Sequence, residues 1–335
     1  MARERPMRLL IHEKSYRRVE AAIAAHGPAV EPLLLSDTGE VTLNGLALSL
    51  EDARPEAAWA NADVFFSGAM RPFASATLKS PDLKWVQSGA AGYDNAIFGQ
   101  FVQKGATLTT SHGQAVGIAD YVLWGVLDVY QGGPARRAAQ AAHDWNRLPY
   151  RELEGSRWVV LGFGAIGQGV AVRARAFGAH VTGVRRSGGS DPAADRMVTP
   201  DRFLDVLADA DVVALCAPAT PETRRIANAD AFARMKPGAV FVNVGRGALV
   251  DEPALLAGLA AGAPGHAVLD VFETEPQAAD SPFWDHPQVT MTPHAAGMSS
   301  GNAPRNDALF LENLAHYLAG RPLENVADAK DVLGG

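Results

Sequence analysis

The apolar positions of this chain fall into two rhythms. Over roughly the first hundred residues, short apolar runs recur at residues 9–11, 30–35, 64–66 and 85–87, separated by Ala-rich helical stretches and Gly/Pro breaks. Short runs bounded by breakers predict strands, so this region reads as a small α/β lobe. Residues 115–130 then place bulky apolar side chains near helical spacing and stop at Gly132-Gly133-Pro134, which predicts a long helix able to bridge two lobes. From Arg157 the alternation becomes regular: a strand over 158–161, a helix over 165–177 stopped by Gly178, and a strand over 180–184. That βαβ unit demands a parallel pair. Further strands are predicted at 211–216, 239–244, 266–270 and 289–292, with helical stretches such as 252–261 between several of them and a tail helix over 310–319. The whole span from 157 reads as a doubly wound sheet.

Composition narrows the function classes. A chain of 335 residues, 47% apolar and 20% charged, is globular and long enough for two cores. Its 30 basic residues against 37 acidic ones give a net charge of -7, with only short basic pairs such as Arg17-Arg18 and Arg136-Arg137, so no nucleic-acid or anionic-lipid partner is expected. One cysteine, Cys216, rules out an internal disulfide and suits a reducing compartment, the cytoplasm. Residues 1–8 are charged and hold no apolar signal core. No apolar run approaches the ~20 residues that span a bilayer, so no membrane role is expected. The nine histidines show no ligand spacing, and no metal is expected.

The predicted strand 158–161 runs into Gly162-Phe163-Gly164-Ala165-Ile166-Gly167, which opens the predicted helix. In that context the pattern is a dinucleotide fingerprint. The first glycine makes the turn, the second admits a pyrophosphate, the third lets helix and strand pack, and phosphate meets the N–H groups of the helix start. A glycine-rich turn without a ligand is the plainer reading. An NAD-binding version places a carboxylate at the end of the second strand for the ribose 2′-hydroxyl. This chain has Val184-Arg185-Arg186-Ser187 there. Two guanidinium groups and a hydroxyl can bind a 2′-phosphate, so NADP(H) is expected to be preferred over NAD(H).

Three patterns follow: Val244-Gly245-Arg246-Gly247, Thr274-Glu275-Pro276 and Thr292-Pro293-His294-Ala295-Ala296-Gly297. Singly, each residue has a bland reading: a turn arginine, a surface glutamate, a loop histidine. Together, downstream of a dinucleotide loop, they supply a planar cation to anchor a carboxylate beside a carbonyl, a proton donor for the developing alkoxide, and a carboxylate to orient that donor. At these motifs the chain resembles the D-isomer-specific 2-hydroxyacid dehydrogenases. Its basic pair is similar to the glyoxylate/hydroxypyruvate reductase branch. The likeness spans about residues 84–326.

The resemblance implies that Arg246, Glu275 and His294 are catalytic, with Arg246 and His294 also binding substrate. It implies that Gly89, Ala90 and Ala91, in Gln87-Ser88-Gly89-Ala90-Ala91-Gly92-Tyr93-Asp94, offer backbone N–H groups to the substrate carboxylate. Besides the glycine loop and the basic pair, Ala217, Pro218, Thr223, Val244, Asp270, Ala296 and Gly297 match cofactor-lining positions. The implied fold is two Rossmann-like α/β lobes: a cofactor lobe, 108–296, with the doubly wound sheet, and a smaller flavodoxin-like substrate lobe from 1–107 plus 297–335. The implied activity is reduction of a small 2-oxo acid to the D-2-hydroxy acid by a homodimer. Another acid (a phosphoglycerate, a branched 2-oxo acid, formate or phosphite) or a dinucleotide-sensing corepressor-like role stays open. Departures from the family pattern at residues 109–114 and at Asp120 leave the pocket details undetermined.

Overall fold

The computed structural model describes residues 5–93 and 95–333, so Asp94 of the 87–94 motif and residues 1–4 of the N-terminal stretch lie outside the described residues. The chain divides into two compact units, residues 1–114 with 300–335 and residues 115–299.

The first unit is built on a sheet of strands β1 (Met7–His12), β2 (Val30–Leu35), β3 (Val41–Leu43), β4 (Leu46–Leu48), β5 (Ala57–Ala60), β6 (Trp85–Ser88) and β7 (Thr107–Thr109), in the order β4-β3-β2-β1-β5-β6-β7. The five strands β2-β1-β5-β6-β7 are parallel, which is the flavodoxin-like order, and β3 and β4 add an antiparallel edge. One strand expectation fails. Residues 64–66 belong to no strand: Asn61 caps Asp63 N–H at 3.2 Å and starts the helix Ala62–Phe65. The strand between β1 and β6 is instead Ala57–Ala60, fully buried. Alanine is a weak strand former, so sheet position and not local preference makes it β.

The tail helix begins earlier than expected, covering Asn302–Leu318. Its Phe310 stacks on Trp59 at 4.1 Å and on Trp85 at 6.0 Å, and Tyr317 stacks on Trp85 at 5.2 Å. Beside this stack lies a buried amide, Gln87, whose Oε1 accepts from Thr109 Oγ1 (2.9 Å) and Asn313 Nδ2 (2.8 Å) and whose Nε2 donates to Ser88 O (2.9 Å). The loop after β6 is therefore tied to β7 and to the tail helix.

The second unit carries seven strands, β8 (Arg157–Leu161), β9 (His180–Val184), β10 (Arg196–Val198), β11 (Val212–Leu215), β12 (Val240–Asn243), β13 (His266–Leu269) and β14 (Val289–Met291), in the order β10-β9-β8-β11-β12-β13-β14. All pairs are parallel. Successive residues face opposite cores: Val159, Leu161, Val213, Leu215 and Phe241 join one cluster, and Trp158, Val160, Val212, Ala214 and Val242 the other. A sheet buried on both faces reads as continuous apolar runs, which is why these strands were visible in the sequence. The helices Ala115–Tyr130 and Ala165–Ala176 cover the second face. Gly132-Gly133-Pro134 ends the first of these helices and also opens another, Gly133–Ala141, with proline in its first turn. Among the described residues no helix is long and apolar enough to cross a membrane.

Truncating a fully buried phenylalanine leaves a cavity as well as losing apolar contact, so Phe310→Ala is expected to cost the first unit about 3–5 kcal/mol. Urea unfolding followed by tryptophan fluorescence measures this; an unchanged midpoint would show that the tail helix does not depend on the aromatic stack.

Candidate active site

In a parallel sheet every strand delivers its following loop to the same edge. The loops after β8, β9, β11, β12, β13 and β14 hold the candidate residues of the second unit, and β8 is flanked by β9 and β11, where the strand order reverses. This reversal is where doubly wound sheets bind ligands.

The three glycines of the loop after β8 do different things. At Gly162 (φ +90°) a Cβ would lie 2.4 Å from Ala217 N, and at Gly167 it would lie 2.2 Å from Gly162 O, so both are demanded by the protein's own packing. Gly164 has nothing within 4 Å of its Cβ position. Its lack of a side chain serves the open space in front of the helix Ala165–Ala176, whose start has no side-chain cap. The N–H groups of Ala165, Ile166 and Gly167 stand at that positive end, the arrangement that receives a phosphate.

After β9 the two arginines sit in different surroundings. Arg185 donates through Nε to Gly188 O (2.9 Å), through Nη1 to Asp191 Oδ2 (2.9 Å) and through Nη2 to Ser190 O (3.0 Å). Asp191 is held in turn by Gln168 Nε2 (3.0 Å) and the Ala193 N–H (3.1 Å). Arg185 thus folds its own loop, while Arg186 and Ser187 are exposed. Opposite, Thr223 closes the turn beginning at Ala217 by donating to Pro218 O (2.8 Å) and accepting from the Thr220 N–H (2.8 Å). Thr220 Oγ1 above all, with a contribution from Arg186, holds the Glu222 carboxyl below its ordinary range. Cys216 packs on the apolar core, and burial pushes its thiol up to about 12, which removes it as a nucleophile.

Arg246, Glu275 and His294 follow β12, β13 and β14, which are neighbours in the sheet. The turn at Arg246 is shaped by the buried Asn243, whose Oδ1 accepts from Gly245 N–H (3.1 Å) and whose Nδ2 donates to Arg246 O (2.9 Å). Arg246 Nη1 donates to Gly245 O at 2.7 Å. A Cβ on Gly247 would sit 1.9 Å from Phe272 C, so this turn presses directly on the segment leading to Glu275. Val244 is buried beneath it.

Glu275 Oε1 accepts from the Phe272 N–H (2.9 Å) and Oε2 lies 2.7 Å from His294 Nδ1. An ionised carboxylate only accepts, so Nδ1 carries the hydrogen and Nε2 is left to gain or lose the second proton. His294 stands at φ +52°, a left-handed conformation. The segment that carries it is held by Asp270, 2% exposed: Oδ1 accepts from Thr292 Oγ1 (2.6 Å) and the Ala295 N–H (2.8 Å), and Oδ2 from the Ala296 N–H (3.0 Å). Thr292 Oγ1 also lies 2.7 Å from Tyr121 OH, on the helix Ala115–Tyr130. Sequence reasoning missed Tyr121 and Thr292. No local signal singled Tyr121 out, since the same helix also carries Asp120, Asp128 and a second tyrosine, Tyr130. Gly297 follows directly on this held segment.

In the first unit the expected N–H cradle is already partly used. Gly89 N–H donates to Ala60 O (2.7 Å) and Ala90 N–H to Ser88 Oγ (3.1 Å), while Ala90 O accepts from Ser111 N–H (2.9 Å). Of the three residues, Ala91 is the one whose N–H is not spent on these bonds. Among the described residues no three His, Cys, Asp or Glu side chains gather as a metal site requires.

The family model for the D-isomer specific 2-hydroxyacid dehydrogenase NAD binding domain matches residues 123–296. The chain belongs to the D-isomer-specific 2-hydroxyacid dehydrogenase family. A (S)-sulfolactate dehydrogenase of Chromohalobacter salexigens is 34% identical over 72% of this chain and 79% of its own length. A D-3-phosphoglycerate dehydrogenase of Mycobacterium leprae is 35% identical over 76% of this chain and 48% of its own, so the chain spans about half the length of such relatives. Among solved members of the family, an NADPH-dependent glyoxylate/hydroxypyruvate reductase from Sinorhizobium meliloti, in complex with NADP and sulfate, has a TM-score of 0.77 and 26% identity. It covers 98% of this chain and 100% of that one. The two parallel-rich sheets are the α/β, Rossmann-like architecture of the family.

The contrast among the glycines is testable. Gly164→Val is expected to weaken binding of a nicotinamide dinucleotide at least ~tenfold with little change in thermal midpoint, because the added atoms enter open space. Gly162→Val should instead lower the midpoint, since the clash is with backbone. Fluorescence titration and thermal unfolding report the two effects; equal loss of binding and stability in both variants would refute the division.

Proposed function

We propose that this chain reduces a small 2-oxo acid of the glyoxylate or hydroxypyruvate kind to the D-2-hydroxy acid, with NADPH preferred over NADH. The observation that carries the reading is the 2.7 Å pairing of His294 Nδ1 with Glu275 Oε2 on the strand-end edge that also holds the glycine loop. The residues present fit a nicotinamide dinucleotide: open space before Gly164, an uncapped helix start, and no carboxylate directly after β9. Ala217, Pro218, Thr223, Val244, Asp270, Ala296 and Gly297 would line its remaining length. Bound there, the cofactor supplies hydride to a carbonyl carbon. Arg246 leaves Gly245 O to grip the substrate carboxylate through its planar fork, which also polarises the adjacent carbonyl. His294 Nε2 gives its proton to the carbonyl oxygen as charge grows there and takes it back in the reverse direction. Glu275 keeps Nδ1 protonated, so the ring always presents Nε2 outward.

The division into a substrate lobe, 1–107 with 297–335, and a cofactor lobe, 108–296, belongs to the same proposal, with Gly89, Ala90 and above all Ala91 binding substrate in the former. A small acid is favoured by the activity and cofactor of the similar Sinorhizobium meliloti reductase. Phosphoglycerate and sulfolactate, named for other relatives, are the competing substrates. The chain is proposed to work in the cytoplasm as a homodimer through the second unit, whose helices expose Val116 (40%), Trp124 (47%) and Val172 (56%), with Phe177 (50%) just past a helix end. Apolar surface of that kind marks association.

Loss of NADPH and NADH absorbance with glyoxylate, hydroxypyruvate, pyruvate, phenylpyruvate and 2-oxoisovalerate tests the whole reading. Rapid oxidation of NADPH by the two small acids is expected; no oxidation with any acid, with dinucleotide binding retained, would favour a sensor. His294→Ala should lower kcat by about 10²–10⁴ with cofactor binding intact, and Arg246→Lys should raise KM and lower kcat together. Arg186, the exposed guanidinium of the pair, is the second candidate for the 2′-phosphate, and Arg186→Asp is expected to turn preference towards NADH by about tenfold or more. A ratio of kcat/KM values that does not move would place 2′-phosphate recognition elsewhere.

A further inference from the structure

We infer that Tyr121 is a positioning residue for the proton-transferring histidine: through Thr292 and Asp270, its hydroxyl fixes the loop that carries His294. This rests on the reading of His294 as the acid–base group.

The polarity of the chain of hydrogen bonds follows from proton counting. Thr292 Oγ1 lies 2.6 Å from Asp270 Oδ1 and 2.7 Å from Tyr121 OH, and it has a single proton. Asp270, ionised, can only accept, so the threonine proton goes to Asp270 and the tyrosine must donate into Thr292. Burial pushes the Tyr121 hydroxyl up to about 12, so it keeps its proton and stays the donor throughout the neutral range. The buried Asp270 carboxylate then holds the loop from beyond His294 as well, through the Ala295 and Ala296 N–H groups at 2.8 and 3.0 Å. His294 lies between these anchors, and its own N–H donates to Asp270 O at 2.8 Å.

The conformation at His294 needs such holding. A non-glycine residue at φ +52° is disfavoured and persists only where its surroundings over-determine it. If the loop relaxed towards extended backbone, the imidazole would swing away from Glu275. Tyr121 supplies an anchor from the helix Ala115–Tyr130, and its ring packs against Trp124 at 5.3 Å. Being two side chains removed from the imidazole, it touches no reacting atom.

The test compares Tyr121→Phe, Thr292→Val, their double variant and Thr292→Ser, with His294→Ala as control, in the full chain. Measured are kcat and KM for the acid reduced fastest, the Kd for NADPH by fluorescence, and the thermal midpoint. Tyr121→Phe is expected to lower kcat about five- to tenfold, the effect of losing one buried hydrogen bond, with the NADPH Kd within about twofold of wild type. Thr292→Val should lower kcat further, the double variant no further than Thr292→Val alone, and Thr292→Ser should restore most of the rate. Wild-type kcat in Tyr121→Phe, independent losses that multiply in the double variant, a serine variant as slow as the valine one, or a rate loss that merely follows the unfolded fraction would each overturn the inference. If His294→Ala keeps full turnover, the acid–base reading fails and this one with it. An inactive His294→Ala beside a fully active Tyr121→Phe removes only the role of Tyr121.

Discussion

A buried carboxylate must be answered by hydrogen bonds, and in this protein the groups that answer Asp270 are the loop on which the candidate chemistry stands. Asp270 follows β13 and is 2% exposed, where an unpartnered charge would be strongly destabilising. Its partners are the Thr292 hydroxyl and the N–H groups of Ala295 and Ala296. His294, at φ +52°, immediately precedes the two residues whose N–H groups meet Asp270. The loop that carries the imidazole is thus the loop that solvates Asp270. The sheet makes this possible, because parallel order sets β13 beside β14 and delivers both loops to one edge.

The same logic governs the nucleotide end of the unit. Asp191 plays there the part that Asp270 plays at the other: a carboxylate whose side chain is 8% exposed gathers Arg185, Gln168 and the Ala193 N–H. Gln168 belongs to the helix whose start faces the phosphate position, so the loop after β9 is registered against that helix by one residue. Arg185 gives three of its five N–H donors to this loop, so its first task is to shape the segment after β9.

Much of this was legible in the sequence where a local rule and the global fold agree. The strands of the second unit are buried on both faces and so appear as apolar runs, and the helices Ala115–Tyr130 and Glu252–Ala261 end where glycine follows. The glycine loop and the Arg246, Glu275 and His294 motifs were visible because each element demands particular residues at fixed spacing. What escaped depends on which partner the fold supplies, near or far. Ala57–Ala60 is a strand only because β1 and β6 flank it, and Val64 is helical because Asn61 caps it. The engagement of Arg185 depends on a carboxylate six residues away, and the Tyr121 contact joins positions 171 residues apart. No periodicity encodes a hydrogen bond across that separation.

Magnitudes also decide what the Glu275–His294 pair is for. Its two side chains are 36% and 52% exposed, and exposed ion pairs contribute about 0–1 kcal/mol to stability. That is no more than the cost of holding a non-glycine residue in the left-handed region, about 1–3 kcal/mol. The pair cannot therefore be what keeps His294 where it is; the bonds to Asp270 must. Once the backbone is set by those buried bonds, the remaining freedom of the side chain is rotation of the ring. A carboxylate anchored to the Phe272 N–H at 2.9 Å needs to supply only a small bias to choose between the two ring nitrogens. Position and protonation pattern are thus controlled by separate carboxylates, one buried and one exposed.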